Sequence, residues 1–283
     1  MTYICTKSFI TIKDKFMRTR NIILGVMAAF AMMSCGGNAS KTDGELATDS
    51  VKFEEKSKTQ EIKIVFDYPT SGNQNLKNSI EEYISETLGG TYMGTLDNKD
   101  SLMQYYVAEQ KDYLKKSLDD MEGYDGAALS LTAEIRKAYE TDQFVTYEYY
   151  TYGYLGGAHG MQYVGGATFR KSDGRRFAAD ILSKKRNMDY EEFNTLLKDG
   201  IKQYFSDNGE KMTDKELQDA IMSGDDVESL PLPQTAPYLT KDGVVFVYQP
   251  YEMFCYAAGA VKFTVPLSEI KPFLNAAVLK MIE

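Results

Sequence analysis

The stretch "TYGYLGGAHGMQYVGG", Thr151 to Gly166, holds the only histidine of the chain, His159. An imidazole is the side chain best suited to moving protons near neutral pH, and a carboxylate beside it would complete a general acid–base pair. Glu148, Asp180 and Glu252 are the acids that could supply it. With 41 acidic residues in the chain, spacing alone selects none of them. A Ser-His-Asp set would need the same histidine as its base, and no Gly-x-Ser-x-Gly elbow is present. Zinc needs three or four ligands drawn from His, Cys and carboxylates. One histidine and the distant Cys255 do not make that set. "SGDDVES" and "DNKDS" are too short and irregular for a calcium loop. No glycine-rich phosphate cradle leads into a lysine and a helix. The sequence therefore assigns no catalytic residue, no metal and no cofactor.

The glycines shift the emphasis from chemistry to shape. Gly156, Gly157 and Gly160 permit positive φ and a tight reversal between tyrosine-bearing strands. On that reading His159 caps the turn or touches a partner from it. Tyrosine supplies a large contact face at low entropy cost, so a row of such rings can hold a sugar or a protein surface. The plainer expectation is that one tyrosine row is core and the other half-buried. The candidate binding or turn surface comprises Tyr152, Tyr154, Gly156, Gly157 and His159, joined by Tyr251 and Glu252 further along. Cys255, among aromatics, reads as an inert buried thiol.

These residues must be positioned by regular elements. "EIKIVFDY" alternates as a strand. Leu76, Ile80, Tyr83, Ile84, Thr87 and Leu88 fall at helical spacing before Gly89-Gly90, and Leu102, Met103, Tyr106, Val107, Tyr113 and Leu114 mark a second helix. "ALSLTAEIRKAYE", "QFVTYEYYTYGY" and "MQYVGGATFR" follow as strands, with Tyr147 and Tyr149 on one face and Tyr150, Tyr152 and Tyr154 on the other. Asp173-Gly174 signals a hairpin turn. Phe193, Leu196, Leu197, Ile201, Tyr204 and Phe205 trace an amphipathic helix, and a shorter one runs from Asp214 to Met222. "DGVVFVYQPYE" and "GAVKFTVP" are strands, and a last helix is expected from Ser268, with Pro272 in its first turn. Clustered rather than alternating elements predict an α+β fold, an antiparallel sheet with helices packed on it, in two adjoining subregions.

The chain begins with its most specific signal. "MRTRNIILGVMAAFAMMSCGG" has a basic head, an apolar run too short to span a bilayer, and a small residue before a cysteine. Residues 1–34 read as a signal peptide whose true start is Met17, with Met32 where a lipoprotein box usually carries leucine. Cleavage would make Cys35 the lipid-attachment residue, held to a membrane by its acyl chains. Losing residues 1–34, with five basic side chains and one acidic, would take the net charge from −9 to about −13. Such acidity excludes nucleic acid as a partner. Residues 35–59 read as a flexible tether, 60–140 as an N-terminal subdomain and 141–283 as a C-terminal domain.

"YGYLGGAHG" and, about 90 residues on, "DGVVFVYQPYEMFCYAAGAVKFTVPLSEIKPFL" together resemble a bacterial envelope domain. This is the domain of unknown function 3298, in the PdaC/RsiV-like group. The likeness runs from Val145 to Leu274 and takes in Phe177 and Asp180; residues 60–140 resemble the group's companion N-terminal unit. Members include an anti-sigma factor whose outer domain senses lysozyme, and a peptidoglycan deacetylase with a separate catalytic domain. The resemblance implies a non-catalytic binding module in the cell envelope, anchored to a membrane by lipid. Its implied partner is a cationic wall-active protein such as lysozyme, or peptidoglycan. The competing reading is an enzyme acting on envelope glycan or peptide through His159 with Glu252 or Asp180.

Overall fold

The computed structural model describes residues 44–183 and 190–283. The expected signal peptide, Met17 and Cys35 lie outside them. The alternating apolar residues of "QEIKIVFDYP" form strand β2 (Gln60–Pro69), with Ile62, Ile64 and Phe66 in the core. Next to it lies β1 (Thr48–Lys56), so residues 48–56 of the stretch read as a tether are a strand of the sheet. Only Val51 and Phe53 of β1 reach the core, while Lys52, Glu54, Glu55 and Lys56 line the sheet edge. An edge strand needs few apolar residues, and its charges discourage further pairing. Its period-two signal is correspondingly faint.

Helix α1 (Gln74–Leu88) is capped by the Asn73 side chain, and α2 (Lys99–Asp119) by that of Asn98. The two helices form the crossover to β3 (Leu129–Glu140), which pairs parallel with β2. The sheet is thus mixed, not wholly antiparallel. β4 (Phe144–Tyr154), β5 (Met161–Arg170) and the two-residue β6 (Arg176–Phe177) complete the order β1-β2-β3-β4-β5-β6. Gly174, at φ +74°, makes the β5–β6 turn. Since this sheet runs unbroken past residue 140 to Phe177, the division between the units falls near residue 178.

The second unit is built on α3 (Tyr190–Asp207), α4 (Asp214–Ala220), and a sheet of β7 (Tyr238–Leu239), β8 (Gly243–Tyr248) and β9 (Val261–Pro266). α3 carries Phe193, Leu197, Ile201 and Phe205 against Val244, Phe246 and Phe263. The opposite face of β8, Val245 and Val247, meets Tyr238 and Val164 of β5. The expected C-terminal helix is broken into α5 (Leu267–Ile270), a 3-10 turn at Lys271–Phe273 and α6 (Ala276–Ile282). Pro272 offers no N–H, and Asn275 starts a new helix by accepting from the Ala277 and Val278 amides.

The chain reaches this fold through a clamp at one end of the first sheet. Glu140 accepts from the Leu46 amide (2.6 Å), Lys171 (2.7 Å) and Lys137 (2.9 Å), while Lys171 also donates to the Gly44 carbonyl. Burial opposes ionisation of Glu140, but these hydrogen bonds outweigh it and hold its pKa below the usual carboxylate value. Glu140→Gln is expected to cost about 1–3 kcal/mol at pH 7. A lowered pKa gives stability that is present above the unfolded value of about 4.3 and lost as pH falls through the native one. Denaturant titrations of the wild type and the Glu140→Gln variant should therefore give curves that are separated at pH 7 and converge below about pH 4.

Candidate functional site

β4 leads to a loop at the sheet end opposite the clamp, about 33 Å from its first residue. Gly156 and Gly157 take φ +82° and +112° there, the positive values that the sequence anticipates. Gly160 is needed for a different reason, because a Cβ on it would lie 2.3 Å from the Tyr152 hydroxyl. Tyr154 donates to the Gly157 carbonyl (3.1 Å). Gly156 packs on Met121 and Tyr124, which follow α2.

His159 is exposed and reaches across to the β8–β9 loop of the second unit. Its ring stacks on Tyr256 at 3.7 Å between centroids and 16° between planes. Nδ1 lies 3.0 Å from the Gly160 carbonyl, which only accepts, so the proton belongs on Nδ1. In the neutral ring Nε2 then accepts from the Tyr251 hydroxyl at 3.3 Å. The Tyr256 hydroxyl donates to the same Gly160 carbonyl at 2.6 Å. Gln249 ties the units further: its side-chain amide bonds both the N–H (3.2 Å) and the carbonyl (2.6 Å) of Val164. It thus imitates a neighbouring strand along β5.

Tyr251 has φ +69°, alone among the described non-glycine residues in being positive, and it is 51 % exposed. A bulky residue in this region is a backbone outlier. Burial, then the neighbouring Tyr152 and Tyr251, raise the Tyr256 pKa. Burial, then Tyr152, Glu134 and Tyr256, push Tyr150 up to about 12. Both phenols stay neutral near pH 7, and that of Tyr256 donates to the Gly160 carbonyl.

The acids proposed as partners of His159 are engaged elsewhere. Glu252 accepts from the Gln234 (2.6 Å) and Gln249 (2.7 Å) amides, closing its own loop. Asp180 accepts from Ala178 N–H (2.7 Å) and Arg175 (2.6 Å). Glu148 takes Tyr238 and Lys262, each at 2.8 Å. Both imidazole nitrogens face a carbonyl and a phenol, so the arrangement orients an aromatic surface and sets no base against an acid. Among the described residues, no three His, Cys, Asp or Glu side chains form a metal-holding group. Cys255 is half-buried and free.

Residues 221–234 lie alongside this loop: Met222 N–H donates to the Met253 carbonyl at 2.8 Å, and Tyr248 to that of Pro231 at 2.7 Å. This segment carries exposed Met222 and Leu232, and also exposed Asp226 and Glu228, the last ion-paired with Lys198 at 3.2 Å. Tyr256, Gln249 and Met222 were not among the sequence candidates. Tyr256 has a signal in hindsight, as the aromatic that follows "YEMFC"; Met222 has none.

Residues 55–162 match the family model "Deacetylase PdaC", and residues 179–268 match "Protein of unknown function (DUF3298)". His159 falls in the first match, Tyr251 and Tyr256 in the second. Two crystal structures of DUF3298 family proteins share the fold. One, from Bacteroides fragilis NCTC 9343, has 22 % identity and a TM-score of 0.68, with 86 % of this chain and 99 % of that one covered. The other, from Pseudomonas aeruginosa PAO1, has 15 % identity and a TM-score of 0.57, with 83 % and 97 % covered. No curated protein matches the chain.

Proposed function

We propose that this chain, which carries a PdaC-type domain followed by a DUF3298 domain, is a lipid-anchored binding protein of the cell envelope. The domain pairing supports an envelope-related family. Docking takes place on the surface shared by the β4–β5 and β8–β9 loops. The observation that carries this reading is Tyr251: an exposed ring on a strained backbone, aligned with His159 and Tyr256 across the junction of the two units. Backbone strain persists where surrounding structure enforces it, and it gathers at binding sites.

Position supports the same reading. Leu46 is held at the clamp, and the aromatic surface lies at the opposite end of the first sheet. The segment 221–234, with exposed Met222, Leu232 and Asp226, is hydrogen-bonded alongside the β8–β9 loop, and apolar side chains bordered by acidic ones suit a basic partner such as lysozyme. The test is calorimetric titration with a purified lysozyme. Affinity should fall steeply as salt rises from low to physiological strength, because screening shortens the reach of the acidic field. Absence of binding at low salt would remove this partner. Labelling with palmitate tests the anchor, which requires incorporation that Cys35→Ser abolishes.

The engaged carboxylates Glu252 and Asp180 give the enzymatic alternative no specific support, and the deacetylase activity in the name of the first family model is not carried over to this chain.

A further inference from the structure

On the opposite face of β4 and β5, α1 ends before covering the sheet and leaves an open trough of about 310 Å³ lined by Glu86, Thr87, Tyr149, Thr151 and Tyr163. It is separate from the loop surface, since Tyr149, Thr151 and Tyr163 point away from the side that carries Tyr152. Tyr163 stands 46 % exposed. The Tyr163 and Thr151 hydroxyls make no hydrogen bond within the described residues. Thr87 spends its proton on the Tyr83 carbonyl (2.8 Å), which leaves its oxygen as an acceptor. Glu86 is held by Arg176 at 2.5 and 3.4 Å. Behind the wall the Tyr83 ring meets Tyr149 edge-on, and its buried hydroxyl has no partner.

We infer that this trough is a saccharide-binding subsite. Arg176 neutralises Glu86, so the trough offers no net charge to draw a cation, and the carboxylate disfavours an anion. A purely apolar ligand would cover the Thr151 and Tyr163 hydroxyls without pairing them. What remains is a neutral ligand with a C–H face and a hydroxylated edge. A sugar ring has both: its face lies on Tyr163, and its hydroxyls donate to Glu86 and Thr87 and accept from Thr151. The volume is at the lower end of small-ligand sites, which suits one or two rings with the remaining oligomer outside.

The inference does not rest on the lysozyme reading and fails separately from it. The probes are a neutral N-acetylated glucosamine trimer and maltotriose, followed by NMR of the folded chain. Shifts should concentrate at Thr87, Thr151 and Tyr163 with at least one of the two. Tyr163→Ala should weaken binding about tenfold, the size of one lost aromatic contact. Tyr163 is an exposed strand residue, so this variant keeps the fold; Tyr163→Phe should retain most of the affinity. Tyr251→Ala, on the other surface, should leave saccharide affinity unchanged. No response to either sugar at millimolar concentration, or binding indifferent to Tyr163→Ala, overturns the assignment.

Discussion

Tyr251→Gly is expected to be more stable than Tyr251→Ala by about 1 kcal/mol, a reversal of the usual order of these residues. At ordinary positions alanine is better than glycine by roughly 0.5–1 kcal/mol, because glycine loses more freedom on folding. Here φ is +69°, where any residue with a Cβ carries about 1–2 kcal/mol of strain. Alanine keeps that strain and loses the ring; glycine loses both. Both variants should weaken docking by about 2 kcal/mol or more, roughly thirtyfold, as a central aromatic anchor does. Chemical denaturation and the lysozyme titration read the two effects separately. Equal stability of the two variants would show that the backbone conformation at residue 251 is not enforced in solution, and with it would go the main support for the docking surface.

The second large effect lies in the core that carries the β8–β9 loop. Gly200, inside α3, faces the Phe263 ring so closely that a Cβ there would sit 2.1 Å from it. Helix propensity alone would favour Gly200→Ala by about 1 kcal/mol. Overpacking a filled core costs about 1–3 kcal/mol, and at this distance the ring has to move, so the clash wins. Phe263 also stacks on Phe246 at 5.7 Å and Tyr248 at 6.3 Å, which leaves it little room to yield. Phe263→Ala by itself should cost about 3–5 kcal/mol. In that background Gly200→Ala should change sign and become stabilising, because the added methyl then enters space. A double-mutant cycle by urea denaturation measures this directly. If the alanine substitution at position 200 is destabilising in both backgrounds, the tight approach of α3 to β9 is not the reason for the glycine.

Much of the architecture is legible because it rests on local periodicity. The alternation in β2, β4 and β9, the amphipathic faces of α1 and α3, and the turn glycines at 156, 157 and 174 are consequences of side-chain direction, which spacing reveals. The two tyrosine rows of β4 separate as alternation requires: Tyr147 is fully buried under the helices, and Tyr152 lies on the other face against Gly160. β1 escapes such a reading because an edge strand half-covered by charge keeps only Val51 and Phe53 as its pattern. The break at Pro272 escapes it too, because the competing cap, Asn275, sits three residues later.

From the residues alone it follows that His159 sits in a glycine turn between tyrosine strands, and that the described domain is of the α+β class. Where that turn points, and what meets it, emerge only when the two units are packed together. Tyr256 stacks on a histidine 97 positions away, and Glu252 turns its oxygens to Gln234 and Gln249 instead. The difference is one of range. Turn chemistry acts within a few residues and is written in them, whereas partners across two sheets are set by how the Gln249 amide, the Tyr238 ring on Gly166 and the cores on either side bring distant loops together.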